Sequence, residues 1–278
     1  MQIGCILKMP PLRHYIGILV LSGFLLVPAS MEAAENGAPL KNRIELSASH
    51  EYLSPFAEFG DWQTLSAAWY RKERPDLTWF VQMQGFTRNE GTGLLGTIGA
   101  YKDWTDSFYT YSAFSAGTRT VFLPQVRYDQ DFSFKMGKEK NIVWLVGGTY
   151  IQYFDEHRDY ILSTGLTIYM NKWITEYRIF RNVSEPGWIE SFSHLVSITY
   201  GEEGKNWTTA TASYGKQAYL AIQQEAPSSS VKNNSLLLSL HHRKWLGSDW
   251  GVFGELSYFN LYNTYQKGGL VLGVFKEF

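Results

Sequence analysis

From residue 42 onward the chain alternates apolar and polar side chains with a period of two, in segments of about ten residues. Between Arg43 and Tyr52, Ile44, Leu46, Ala48 and Tyr52 oppose Glu45, Ser47, Ser49 and Glu51. Between Pro124 and Met136, Val126, Tyr128, Phe132, Phe134 and Met136 oppose Gln125, Arg127, Asp129, Asp131, Ser133 and Lys135. Between Ser235 and Lys244, Leu236, Leu238 and Leu240 oppose Ser235, Ser239, His241 and Arg243. Because successive strand side chains point to opposite faces, each segment carries one apolar and one polar face. The last segment, Gly268 to Phe278, keeps this alternation to its final residue. Leu270, Leu272, Val274 and Phe278 share one face, interrupted by Lys276, against Gly269, Val271, Gly273, Phe275 and Glu277. In a secreted β-sandwich the apolar face would be a core. In a membrane barrel it faces lipid.

The turns favour the barrel. Every second turn is short and charged: Lys72 to Asp76, Lys102 to Asp106, Gly137 to Asn141, Asn171 to Lys172, Gly201 to Asn206, and Gly247 to Asp249. They recur every 30 to 45 residues or so, the length of two spanning strands plus an outer loop. Trp104, Trp173, Trp207 and Trp250 stand in or just after four of them, where an indole at the headgroup layer buries its ring and keeps its N–H wet. These four are the expected periplasmic girdle. The segments between are the expected extracellular loops: Ser54 to Asp61, Arg88 to Gly93, Ala116 to Leu123, Asp155 to Asp159, Asn182 to Gly187, Gln223 to Asn234, and Asn260 to Thr264. The count is about 14 antiparallel strands, with 12 if two weak segments merge. The expected fold is therefore all-β, a transmembrane up-and-down β-barrel over residues 42–278.

Ahead of it lies an export signal. Lys8, Arg13 and His14 precede an apolar run from Tyr15 to Val27, and small residues follow at Ala29, Ser30, Ala33 and Ala34. A run of about 13 apolar residues is too short for a spanning helix. The expected organisation is a signal peptide over residues 1–34, cleaved between 29 and 34, and a short segment 35–41 before the barrel. The single cysteine, Cys5, precedes the apolar run, so the mature chain is expected to hold no disulfide, thiol nucleophile or thiolate metal site. A formal net charge of -1 offers no field for nucleic acid. Aromatic residues at 16% suit a chain with two membrane interfaces to line. The final Phe278 is the expected signal to the barrel-assembly machinery, and outer-membrane lipid and lipopolysaccharide are the expected surroundings.

Three stretches, VRYDQDFSF (Val126 to Phe134), GGTYIQYFDEHRDY (Gly147 to Tyr160) and WITEYRIFRN (Trp173 to Asn182), resemble the YaiO family of outer-membrane β-barrels. The resemblance implies an integral outer-membrane protein associated with surface polysaccharide, and none of these stretches is a catalytic signature.

The polar faces collect charge. Glu45, Glu51, Arg127, Asp129, Asp131, Lys135, Glu176, Arg178, Arg243 and Glu255 are the expected lumen-lining groups. They either conduct a small polar solute or pair to fill the interior, and the near balance of sign favours pairing. Enzymatic readings are weaker. Asp129-x-Asp131 and Asp155-x-His157 resemble the Asp pair and Asp–His pair of omptin proteases. Hairpin counting from Gly137 to Asn141 sets Asp129 opposite roughly Tyr150, about 17 Å below Asp155, too far to share one water. No His is followed two residues later by Ser, as in barrel lipases and lipid A deacylases. Ser193–His194 and Ser49–His50 are adjacent and so point to opposite faces. Gly91-Thr-Gly93-Leu-Leu-Gly96 is followed by another strand where a dinucleotide site needs a helix. No cofactor, metal site or catalytic residue is expected. The reading is a non-enzymatic outer-membrane barrel, a small pore or a surface-polysaccharide protein, with an outer-membrane lipid or peptide hydrolase as the alternative.

Overall fold

The alternation is realised as strands throughout the computed structural model, which describes residues 42–55, 60–216 and 233–278. The expected signal peptide, the segment 35–41 and most of the Gln223–Asn234 loop lie outside the described residues. The first seven strands are β1 (Asn42–Ser54), β2 (Asp61–Arg74), β3 (Leu77–Arg88), β4 (Gly91–Thr105), β5 (Phe108–Gly117), β6 (Val126–Met136) and β7 (Ile142–Gln152). The others are β8 (Arg158–Met170), β9 (Trp173–Glu185), β10 (Ile189–Glu202), β11 (Asn206–Lys216), β12 (Asn234–Trp245), β13 (Trp250–Leu261) and β14 (Tyr265–Glu277). They form one closed, antiparallel barrel of 14 strands in sequence order. Closure leaves no sheet edge unpaired, which hydrocarbon requires of any strand structure that spans it.

The seam lies between β1 and β14, in register from Arg43 opposite Glu277 to Ser54 opposite Gln266. Asn42 and Phe278 exchange backbone hydrogen bonds of 2.7 and 2.9 Å beyond the last ladder pair. They lie at the end of the barrel that carries the short turns, which is the periplasmic end. Three expected loops are shorter than the sequence suggests. β4 begins at Gly91, so that turn is 89–90, and β8 begins at Arg158, so Asp159 is a buried strand residue. β9 continues to Glu185, so Asn182 is a buried strand residue and the turn is 186–188.

Burial follows parity. On β6, Arg127, Asp129, Asp131, Ser133 and Lys135 are buried while Tyr128, Phe132, Phe134 and Met136 are exposed. The apolar face is the outside and the polar face the inside, as a lipid solvent demands. Apolar groups are nevertheless placed inside at both ends. Leu53, Trp62, Ile161, Phe180, Leu195 and Phe259 belong to a buried cluster drawn from β1, β2, β8, β9, β10 and β13 near the extracellular mouth. Phe80, Tyr101 and Tyr111 stack in a second cluster toward the periplasm, which Tyr109 joins. Charged residues are interleaved with these clusters: Arg43 and Lys135 lie over Tyr70 and Tyr109 in the periplasmic one, and Arg88 and Lys267 over Trp62 in the extracellular one.

Candidate functional site

The charged interior is the candidate site, and each inward side chain is placed there by strand parity. All ten expected lumen residues face inward. Arg127, Asp129, Asp131, Lys135, Arg178, Arg243, Glu45 and Glu255 are buried, and Glu51 and Glu176 are half-buried on the same face. The wall contributes further charged groups at inward positions: Arg43, Arg88, Asp159, Lys267 and Glu277. Strand parity alone would have found them.

Most of these groups are paired. Arg127 grips Asp129 through Nε and Nη2, both at 2.9 Å, and the Thr149 hydroxyl donates to the same carboxylate at 2.7 Å. Thr149 is also the register partner of Asp129, one residue from the Tyr150 that hairpin counting suggests. Arg178 on β9 reaches Asp131 on β6 with bonds of 2.7 and 3.1 Å, crossing β7 and β8, and donates to Ser163 at 2.6 Å on the way. The crossing depends on Gly147, because a Cβ there would collide with the Asp131 carboxylate and the Arg178 guanidinium. A second such chord runs from Arg243 on β12 to Glu45 on β1 at 2.8 Å, over β13 and β14, and Arg43 lies 2.9 Å from Glu45. Lys267 pairs with Glu51 at 2.7 Å, Lys135 with Asp103 at 3.4 Å, and His241 stands 3.7 Å from Glu255. Bidentate and charge-assisted bonds such as these compensate the desolvation of burying ions.

The extracellular mouth is narrowed by the 118–125 segment, which overlaps the expected Ala116–Leu123 loop. After β5 the chain turns inward, and Phe122 and Leu123 are 0% exposed. Thr118 bonds Leu94 through backbone and side chain at 2.8 and 2.9 Å, and the Thr120 hydroxyl accepts from the Leu123 amide at 2.9 Å. Gly93 makes room, since a Cβ there would overlap Leu123 and Thr120. The Arg88 guanidinium lies between two rings, 3.6 Å from Trp62 and 4.3 Å from Phe122. Three consecutive apolar residues, Val121 to Leu123, were the signal available in the sequence.

Of the four girdle tryptophans, Trp104, Trp173 and Trp250 are exposed on the outer face at the short-turn end. Trp207 is not. It shares parity with the buried Thr209, Thr211 and Ser213, so it turns into the interior, and Gly201 opposite leaves space for its ring. Trp69, packed edge-on against Trp79 at 4.9 Å, and Trp144 also line the periplasmic outer band. Phe278 is exposed on the outer face. Asp155 and His157 stay in the β7–β8 connection, 3.7 Å from each other and away from the buried Asp129 and Asp131. Among the described residues no three His, Cys, Asp or Glu side chains gather as a cation site.

A closed 14-stranded barrel with an apolar outer band, aromatic rims and a polar interior defines an integral β-barrel protein of the bacterial outer membrane. The model of the YaiO membrane beta barrel domain matches residues 41–220, and the chain belongs to that family. No curated protein sequence matches it. Among solved structures it is similar to Omp33 of Acinetobacter baumannii, at 13% identity over 87% of this chain and 100% of that one, with a TM-score of 0.53. A bacterial polysaccharide outer membrane secretin aligns at 7% identity over 84% of this chain and 98% of that one, with a TM-score of 0.52. The CymD monoaromatic hydrocarbon channel aligns at 7% identity over 86% and 87%, also with a TM-score of 0.52. At these identities the likeness is one of fold.

Proposed function

We propose that this barrel is a non-enzymatic outer-membrane component that does not conduct through its interior and acts at its extracellular rim, in contact with surface polysaccharide. The observation that carries the closed reading is the pair of chords, Arg178–Asp131 and Arg243–Glu45, thrown across the interior between strands that are not neighbours. An open, solute-selective lumen would leave such groups facing water. Here they face each other, and Arg243 lies over the rings of Phe253 and Phe275. One void beside Glu45, Gln82 and Tyr70 measures about 10 Å³, room for about one water.

The rim supplies chemistry suited to sugars. Trp188, in the β9–β10 turn, is 71% exposed and stacks on Tyr160 with ring planes 5° apart. Arg158–Glu185 and Arg181–Glu190 pairs flank it. An exposed aromatic face beside charged hydrogen-bonding groups offers both the apolar and the polar contacts a saccharide ring presents. The family resemblance to surface-polysaccharide proteins points the same way.

Planar-bilayer recording on refolded protein is expected to give no stable conductance steps. Binding of purified surface polysaccharide is expected to weaken about tenfold in Trp188→Ala, a loss of about 1.4 kcal/mol. Steady ohmic steps in the unmodified protein would reinstate the pore. Polysaccharide binding indifferent to Trp188 would remove the rim from the proposal.

A further inference from the structure

The outer wall is not uniformly convex. Across β12, β13, β14, β1, β2, β3 and β4 it encloses an apolar concavity of about 1110 Å³. Its floor follows one row of cross-strand partners. His242 faces Gly254, Gly254 faces Leu272, and Leu272 faces Ala48. Ala48 then faces Leu65, Leu65 faces Gly85, and Gly85 faces Leu94. The five side chains of the row are on the lipid side, and Ala48 and the two glycines set the depth.

The row runs obliquely. His242 is three residues from the periplasmic end of β12, whereas Leu94 is three residues from the extracellular end of β4. Six strand steps of about 4.8 Å make it roughly 29 Å long. With strands tilted about 40°, that length climbs roughly 19 Å through the hydrocarbon. An extended acyl chain of about 16 carbons, about 20 Å long, covers four of those six steps and climbs about 12 Å from the periplasmic headgroup layer, which keeps it within one leaflet.

The low end carries positive charge. Lys244 begins the adjoining row, facing Val252, and is exposed on the outer face with no ion pair among the described residues. Lys276, the one break in the apolar face of the last strand, faces Ile44 and Trp250 one row further down and pairs with Asp249. We infer that the groove is a binding site for a glycerophospholipid of the periplasmic leaflet, with acyl chain along the row from His242 to Leu65 and phosphate at Lys244. A second copy of the chain in a two-fold dimer would instead bring the two Lys244 and Lys276 sets toward each other at one level, a like-charge contact.

Native mass spectrometry of the barrel, refolded into vesicles of phosphatidylethanolamine and phosphatidylglycerol and then moved into detergent, tests this. One retained phospholipid per barrel is expected. Gly254→Leu with Gly85→Leu should reduce the retained fraction at least about tenfold; a Cβ at either position meets nothing closer than 3.4 Å, so the added side chain fills the groove and leaves the wall unstrained. Lys244→Gln, which leaves the groove open, should reduce it several-fold while heat-modifiable gel migration stays normal. Absence of a phospholipid adduct overturns the site, as does retention unchanged by both variants. Protein isolated from outer membranes that carries lipid A in place of phospholipid, or a dimer that survives delipidation, assigns the groove to another occupant and also overturns it.

Discussion

Arg178→Met is expected to destabilise the folded barrel by about 3–5 kcal/mol, because breaking a buried pair leaves the partner charge uncompensated. Arg178 and Asp131 are both buried, and the substitution removes two bonds to the carboxylate and one to Ser163. Neutralising the partner as well separates this loss from simple packing damage. The double variant Arg178→Met with Asp131→Asn should recover most of the stability, since an apolar replacement of a whole buried pair is often close to neutral. Guanidinium unfolding in lipid vesicles, followed by tryptophan fluorescence, measures both. A single-variant cost below about 1 kcal/mol, the range of an exposed pair, would mean that water reaches Asp131 and that the interior is open.

The second large effect is expected at the inturned loop. Phe122→Ala with Leu123→Ala removes two fully buried side chains, and losses of about 2–5 kcal/mol are usual for each such truncation. The loss falls on a local unit, the 118–125 segment, so the loop should detach before the barrel unfolds. Trypsin reports it directly, because Arg119 is exposed but tied down on either side by Thr118 and Thr120. Cleavage that tracks the open population should accelerate at least about a hundredfold, the equivalent of roughly 3 kcal/mol. Unchanged cleavage, with barrel migration on gels intact, would show that the two side chains do not hold the loop in.

Much of this architecture was legible in the alternation itself. Parity alone assigned Arg127, Asp129, Asp131 and Lys135 to the interior, and the short charged turns gave the strand count and the orientation. The failures come from information that parity does not contain. Trp207 was assigned by its distance from a turn, yet one residue of offset decides which face it occupies, and the offset put it inside. The partner of Asp131 could not be read because it lies three strands away, and the reach of Arg178 depends on Gly147 and Ser163 being small at that row. The inturned loop depends on Gly93, whose missing Cβ is visible in the sequence but whose meeting with Leu123 is not. Local pattern specifies a side chain's face. Which groups meet across the interior is set by register, summed around the circumference.

Arg243 and Glu45 are separated by 198 positions in the chain, and this separation bears on biogenesis. Glu45 stands on the first strand, Arg243 on β12 and Glu277 on the last strand. A growing sheet that has not yet closed holds the Glu45 carboxylate with only Arg43 beside it. Seam closure brings in the second arginine, so the final step is downhill electrostatically as well as in backbone pairing. A chain joined in the wrong register would set the β12 guanidinium against a different row, and would forgo that gain. The interior pair thus ties the charge balance of the lumen to the register of the seam.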